Sequence, residues 1–366
     1  MENKTNIFAL TKQDTAVLKG IAIIAMLMHH LWGCPPIGVE PYTGVLGFLG
    51  SVGKVCVAMF LFCSGYGLSV GYGRLIEDGR LNGQSPNEDW KIGLKDTLKF
   101  LARRFVKFYA GYWPIFLIFV PISIWGFERS LADAYGTDEN VYKCLAFDVL
   151  GIGGFHSYNI TWWFNQLLIE AYLLFPILFW LAKKWPWTLL VLTAIITPLQ
   201  FVLKQYGGNE LWVNIQAFLF GILWFMHEER LEKLYTLISK SWVWIVLSVI
   251  FMVSCLWMRG GGVPHIGGGR IDAFLTLSLA GSVVFILRQS RFVMRTLTVL
   301  GKHSGNTYMI HTFIYAYWFP CTFYSCEARG GHGYNSPSDR MSLTKYHYGT
   351  REGDVEMESV FKDSAK

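Results

Sequence analysis

Stretches of apolar residues long enough to approach a bilayer crossing recur along this chain, and that repetition limits its fold more than any other feature. A spanning helix needs about 20 mostly apolar residues, because each adds about 1.5 Å across a hydrocarbon layer about 30 Å thick. Nine stretches approach that length: Thr15–Gly33, Val45–Val70, Phe108–Gly126, Thr161–Ala182, Trp185–Leu203, Leu211–Met226, Ser241–Met258, Ile271–Leu287 and Ser304–Pro320. Phe108–Gly126 and Ser241–Met258 carry no charge at all. Leu145–Phe155 is apolar but too short to span, and reads as interfacial or re-entrant. Backbone N–H and C=O groups in hydrocarbon must be paired within their own segment, so the stretches are predicted helices. The fold class is all-α: a polytopic transmembrane helix bundle of about nine spans.

Composition agrees. Charged residues make up 16% of the chain, against about 25% in an average soluble domain. The 15 Trp and 18 Tyr suit membrane–water interfaces, where an apolar ring and a polar tip are both satisfied. The net charge of +6 reads as inner loops facing anionic lipid, not as a nucleic-acid surface. The seven cysteines form no CxxC pair. They give no metal signature and no disulfide framework, and read as small apolar residues. The polar start runs directly into the first apolar stretch, with no small-residue cleavage site.

Loop charge predicts the orientation. With a cytoplasmic N-terminus and strict alternation, the inner segments collect most of the Lys and Arg, including Lys12, Arg74, Arg103, Arg104, Lys107, Lys183, Lys184, Arg230 and Arg295. The outer loops up to Pro320 hold only Arg129, Lys143, Lys204, Arg259 and Arg270. This asymmetry favours the N-terminus inside. The chain divides into a membrane domain over 1–320 and a polar tail over 321–366, expected to be disordered. The abrupt change of composition after Tyr324 fits a truncated or aberrant end.

Ionisable residues within spans are costly, so each is a functional candidate. They are Lys19, His29, His30, Lys54, Glu170, Asp272, His303 and His311, of which Lys19, Asp272 and His303 lie near span ends. Lys19 and His30 are eleven residues apart. At about 100° per residue that is three turns, so both project from one face, about 16 Å apart along the axis. His29 points about 100° away. Plainer readings are a snorkelling lysine and a histidine bonded to a neighbouring helix. Ser64 and Gly65, within Phe60–Leu68, suit close helix approach. Arg103, Arg104 and Lys107 read either as an anchor at the inner surface or as a phosphate site. Glu170 follows Asn165 and Gln166 about one turn later, where it is placed to orient a histidine, bind acceptor hydroxyls or line a wet cavity.

Four segments together resemble the acyltransferase family 3 membrane proteins, which O-acylate surface glycans and related acceptors. Lys19 and His30 match that family's basic-x10-His pattern. Phe60–Leu68 resembles its Phe-x-x-x-Ser-Gly-[Tyr/Phe] pattern. Arg103, Arg104 and Lys107 resemble its basic cluster at the third helix. Leu300–His311 resembles its late Leu-Gly-x-x-Ser-x-x-x-Tyr-x-x-His segment. Trp162-Trp163-Phe164 and Phe218–Leu223 are familial in character. The similarity runs from about Leu18 to Phe319; a tenth helix usual in the family is not supplied by the polar tail.

The resemblance implies a multi-pass enzyme of the bacterial cytoplasmic membrane, using acyl-CoA, most simply acetyl-CoA, as donor, with no permanently bound cofactor. The acceptor would be a hydroxyl of a glycan or lipid-linked saccharide. In that reading Lys19, Arg103, Arg104 and Lys107 hold the phosphates of coenzyme A. His30 takes the acceptor proton, as a neutral imidazole can near pH 7. Ser64, His311 and Tyr308 orient the base or donate to the oxyanion, and His29 and Glu170 orient substrate. Direct transfer and a covalent acyl-histidine both stay open. So do a glycolipid flippase with Lys54, Glu170 and His311 along its path, and an inactive structural homologue.

Overall fold

A computed structural model describes residues 6–35, 42–81, 93–136, 140–185, 187–205, 210–237, 241–259 and 271–324. These residues form helices and no strand. In chain order the helices are α1 (Lys12–Met28), α2 (Gly44–Gly53), α3 (Cys56–Leu81), α4 (Leu94–Gly126), α5 (Leu131–Tyr135), α6 (Val141–Val149) and α7 (Trp163–Lys184). They continue as α8 (Thr188–Gln205), α9 (Glu210–Leu237), α10 (Ser241–Trp257), α11 (Asp272–Phe285), α12 (Arg291–Lys302), α13 (Ser304–Thr312) and α14 (Pro320–Phe323).

Five helical stretches among the described residues are long and apolar enough to cross a membrane: Lys12–Gly33, Gly44–Glu77, Leu94–Gly126, Ile160–Lys184 and Asp272–Gln289. Trp242–Trp257 is a shorter apolar helix. Each of the nine predicted stretches lies in helix for most of its length. The second is divided, because the chain turns at Lys54–Val55 between α2 and α3. The polar tail was predicted from residue 321, but Cys321–Phe323 belongs to α14 and Tyr324 is buried. The expected disorder after Tyr324 lies outside the described residues. Cys321 is disulfide-bonded, which corrects the reading of all seven cysteines as simple apolar residues; Cys34, Cys56, Cys63 and Cys255 are free thiols.

Small residues set the helix crossings. A Cβ at Gly20 of α1 would run into the backbone carbonyl of Leu297 in α12, and one at Gly301 into that of Ala16. The α3–α9 crossing is reciprocal in the same way: Gly65 meets Phe218 and Gly221 meets Phe62. The Ser64–Gly65 pair thus performs the close approach its sequence suggested, and the partner is the Phe218–Leu223 segment. Without a hydrophobic drive between helices in lipid, this backbone proximity is what van der Waals packing gains from glycine.

Buried ion pairs mark the two ends of the bundle. At one end Arg288 binds Asp14 (Nη2–Oδ2 2.7 Å) at the start of α1. At the other Arg259 binds Asp272 (Nε–Oδ1 2.6 Å) at the start of α11. Asp272 precedes Arg288, and Asp14 precedes His30, by 16 residues each. The helical rise therefore sets both His30 and the Arg259–Asp272 pair about 24 Å from the Asp14 end, at one depth.

The short α6 packs beside the middle of α4. The last carbonyls of a helix lack partners within it. Side chains of α4 cap them: Tyr112 Oη donates to Asp148 O (2.6 Å), Trp113 Nε1 to Val149 O (2.9 Å) and Tyr109 Oη to Leu150 O (2.9 Å). Asp148 O takes the Gly151 N–H (2.8 Å) as well. A second, aromatic core forms there around Tyr112, Tyr158, Trp162 and Phe313, apart from the main core of α1, α3, α7, α9 and α11. Tyr308 packs against both.

Candidate functional site

The seam between the two cores holds the site. The last turn of the first span widens into a π-helix over His29–Gly33. A π-turn inserts a residue into the helical ladder and is frequent at functional positions. Here it leaves adjacent imidazoles with ring centroids 5.1 Å apart but with different partners. His29 turns to α2, donating from Nδ1 to Gly50 O (2.9 Å). His30 lines a cavity of about 30 Å³ together with Met26, Cys56, Phe60, Thr161, Phe164 and Tyr308. That volume admits about one or two waters. Among the described residues, neither ring nitrogen of His30 has a hydrogen bond.

His311 stands behind His30. The ring centroids are 4.9 Å apart, and Tyr315 lies 6.1 Å from His30 and 5.8 Å from His311. His311 is fixed from both sides. Its Nδ1 lies 2.7 Å from Tyr308 O, and since a carbonyl only accepts, Nδ1 carries the proton. Its Nε2 faces Thr312 Oγ1 at 3.3 Å. Tyr308 itself donates its hydroxyl to Thr161 O. The chain then widens into another π-helix at Phe313–Trp318 and passes through α14 to Tyr324, whose hydroxyl donates to His30 O (3.2 Å).

Below the cavity α3 and α7 are in contact. The Phe60 and Phe164 rings lie 6.0 Å apart and floor the cavity. One turn further, Ser64 Oγ donates to Phe60 O (2.8 Å) and shares a hydrogen bond with Tyr172. Lys19 lies deeper still, half-buried and close enough to Cys63 of α3 to act on it electrostatically.

The basic cluster on α4 is divided by helical periodicity. Arg104 turns inward: its guanidinium sits at Gly71 of α3, 5.0 Å from the Phe100 ring centroid, within electrostatic reach of Tyr172. Arg103 and Lys107, about 100° and 60° round the helix from Arg104, are exposed in an open groove shared with Lys99 and Val106. Glu170 is about 200° around α7 from Tyr172. Its Oε1 accepts from Gln166 Nε2 (2.8 Å), while Oε2 is buried without a hydrogen bond. No hydrogen bond joins Glu170 to His30 or His311 among the described residues.

The structure therefore brings His30, His311 and Tyr308 together, sets Ser64 beneath them, and places Lys19 and Arg104 on the inward faces of the same bundle. It does not bring His29, Glu170, Arg103 or Lys107 to that cavity. Cys56, Thr161, Thr312, Tyr172 and Asn159 belong to the site or its supports and were not singled out in sequence. Thr161 lies beside the Trp162-Trp163-Phe164 run, which was the one available signal for it.

An apolar helix bundle with spanning lengths, an internal imidazole pair and basic groups on the helix faces below defines an integral-membrane protein with histidines inside its helix bundle. Residues 16–329 match the family described as "Acyltransferase domain", and with that much of the chain covered the protein belongs to acyltransferase family 3. No curated protein and no solved structure matches the chain.

Proposed function

We propose that this membrane acyltransferase moves an acyl group, most simply acetyl, from acyl-CoA to a hydroxyl of a glycan or lipid-linked saccharide, with His30 as the base. The observation that carries the reading is the state of His30. Its imidazole is the one ring at the seam with both nitrogens free of hydrogen bonds among the described residues, and it lines a cavity. A base must be unoccupied and within reach of the proton it removes.

In this reading the Lys19 end of the bundle is cytoplasmic and admits the donor. Lys19 and Arg104 pair with the phosphates of coenzyme A, the guanidinium presenting a planar fork of donors to phosphate oxygens. The pantetheine arm runs up between α3 and α7 towards His30. Phe60 and Phe164 close that route in the structure, so the arm has to part these two rings. At the cavity the acceptor oxygen attacks the thioester carbon as His30 removes its proton. The new C–O bond forms, the C–S bond breaks, and the proton passes to the leaving sulfur, giving ester and free coenzyme A. Tyr308 and Ser64 stand close to the route; each donates its hydroxyl to a backbone carbonyl, Thr161 O and Phe60 O, and has to release it to meet the oxyanion.

The test compares His30→Ala with His29→Ala in membranes supplied with radiolabelled acetyl-CoA, counting label in the glycan and lipid fractions. Loss of a general base costs about 10²- to 10⁴-fold. His30→Ala should fall that far, whereas His29→Ala, which loses one helix-to-helix hydrogen bond, should retain transfer in the folded fraction. Full activity of well-folded His30→Ala protein ends the proposal.

A further inference from the structure

Resting on the reading of His30 as base, we infer that Thr312, Thr161 and Asn159 form a hydroxyl chain that lets His311 hold the transferred proton during the reaction. Thr161 lines the cavity and Thr312 and Asn159 lie behind it; all three act through His311, as positioning residues. All are buried, with exposures of 1% for Thr312, 4% for Thr161 and 0% for Asn159.

The geometry is continuous. Thr312 Oγ1 lies 3.3 Å from His311 Nε2 and 3.0 Å from Thr161 Oγ1. Thr161 donates its hydroxyl to Asn159 Oδ1 (2.8 Å). Asn159 Oδ1 also accepts from Thr161 N (3.1 Å), and its Nδ2 donates to Met309 O (3.2 Å). The Thr161 proton is therefore committed to Asn159, and Thr161 Oγ1 is left as an acceptor facing Thr312.

Proton counting then gives two self-consistent states. With His311 neutral, its proton is on Nδ1, bonded to Tyr308 O, and the Thr312 hydroxyl donates to Nε2. Thr161 Oγ1 receives nothing from Thr312. With His311 as an imidazolium, Nε2–H donates to Thr312 Oγ1, Thr312 donates to Thr161, and Thr161 donates to Asn159. Every hydrogen on the chain is then used. The two states differ by one added proton and the rotation of one hydroxyl. Buried polar groups left unpaired are costly, so a network that stays satisfied when a charge arrives favours that charge. His30 has no comparable support among the described residues. The titratable rings facing His311 are His30, Tyr308 and Tyr315, with His29 and Cys56 beyond them.

His30 thus takes the proton of the acceptor hydroxyl; across the cavity that His30 and Thr161 both line, it passes through the Thr161 and Thr312 hydroxyls to His311 Nε2, and it returns by the same hydroxyls to the thiolate of coenzyme A as that group leaves. No other reactant is consumed, and the net change is one ester formed for one thioester broken.

The test uses Thr312→Val and Thr161→Val, which keep the volume and remove the hydroxyl, beside Thr312→Ser and Thr161→Ser, which keep the hydroxyl. Initial rates of transfer from radiolabelled acetyl-CoA in membranes are measured against pH. In parallel, the full-length protein with ¹⁵N-labelled histidine rings is titrated in nanodiscs, with His311→Gln to assign the signal. Each Val variant should lose about five- to tenfold in kcat, the value of one hydrogen bond, with little change in KM for acetyl-CoA. The acid limb of kcat and the titration of His311 should both move to lower pH, because the imidazolium has lost its acceptor. The Ser variants should recover most of the rate. If a Val variant does not stay folded, Thr→Ala at the same position reads the same hydroxyl.

A wild-type rate and unmoved His311 titration in folded Thr161→Val overturn the inference. So do Ser variants as impaired as the Val ones, since the methyl would then be what matters. If His30→Ala keeps its activity the base reading fails by itself, and the ¹⁵N titration still decides the chain.

Discussion

Replacing Arg259 by Met should destabilise the protein far more than the ion pair it breaks is worth. The Arg259 and Asp272 side chains are 4% and 5% exposed, with Nε–Oδ1 at 2.6 Å and Nη2–Oδ2 at 3.4 Å. At an effective dielectric of about 20, charges about 3 Å apart attract by about 5–6 kcal/mol. Burying each ion costs several kcal/mol. The two nearly cancel, so the intact pair adds little net stability. Arg259→Met keeps the cost of burying Asp272 and removes most of what offsets it, leaving the charge of Lys54, and it also loses the 3.4 Å contact of the guanidinium with Ser51 Oγ. Breaking such a pair costs about 3–5 kcal/mol, whereas replacing both members by apolar residues is close to neutral. Arg259→Met should therefore melt on the order of 5–10 °C below wild type. Arg259→Met with Asp272→Leu should return close to it. The assay is thermal unfolding in detergent followed by the fraction remaining monodisperse, for wild type, both singles and the double variant. Their coupling should be strongly favourable. A single variant that melts like wild type refutes the reasoning, as does a double variant no better than the singles. Because the pair lies at the depth of His30, acetyl transfer should follow the same order.

Two further outcomes test how the bundle is built. Arg104→Gln should raise KM for acetyl-CoA about ten- to a hundredfold, the value of a charge-assisted hydrogen bond, while Arg103→Gln and Lys107→Gln should leave KM within about twofold, as measured by initial rates across donor concentration; equal effects at Arg103 and Arg104 would show that the inward turn of Arg104 is not what selects it. Gly301→Ala should cost about 1–3 kcal/mol by driving a methyl into the α1 backbone, whereas Gly305→Ala, whose new methyl meets no atom within 4 Å, should be neutral or stabilising by thermal unfolding.

The reach of the sequence ended where chain separation began. The Ser64–Gly65 crossing and the spanning stretches were legible because each is local: a pair of small residues, or a run of about 20 apolar residues. Helical periodicity could have divided Arg103 from Arg104, but it fixes only the angle between them and not which one meets α3. The Arg259–Asp272 pair was hidden because Asp272 and Arg259 stand on different helices, and either alone looks like a span-end charge. The π-turns at His29–Gly33 and Phe313–Trp318 have no composition that announces them.

Thr161 and Thr312 show the limit most clearly. They meet across 151 residues. Each alone is an unremarked hydroxyl that a helix tolerates by bonding its own backbone. What gives them chemistry is the prior commitment of one proton: Asn159 takes the Thr161 hydroxyl, and that leaves an acceptor aimed at Thr312, and through it at His311. A scan for ionisable residues finds the histidines and misses this, because the group that biases the proton carries no charge. The same reasoning separates the two imidazoles. His30 is the freer ring and so the one that can touch substrate, and His311 is the better supported ring and so the one that can keep a charge. Exchanging those properties, by removing the Thr161 hydroxyl or by supplying His30 with an acceptor, should move the proton's resting place without moving either ring.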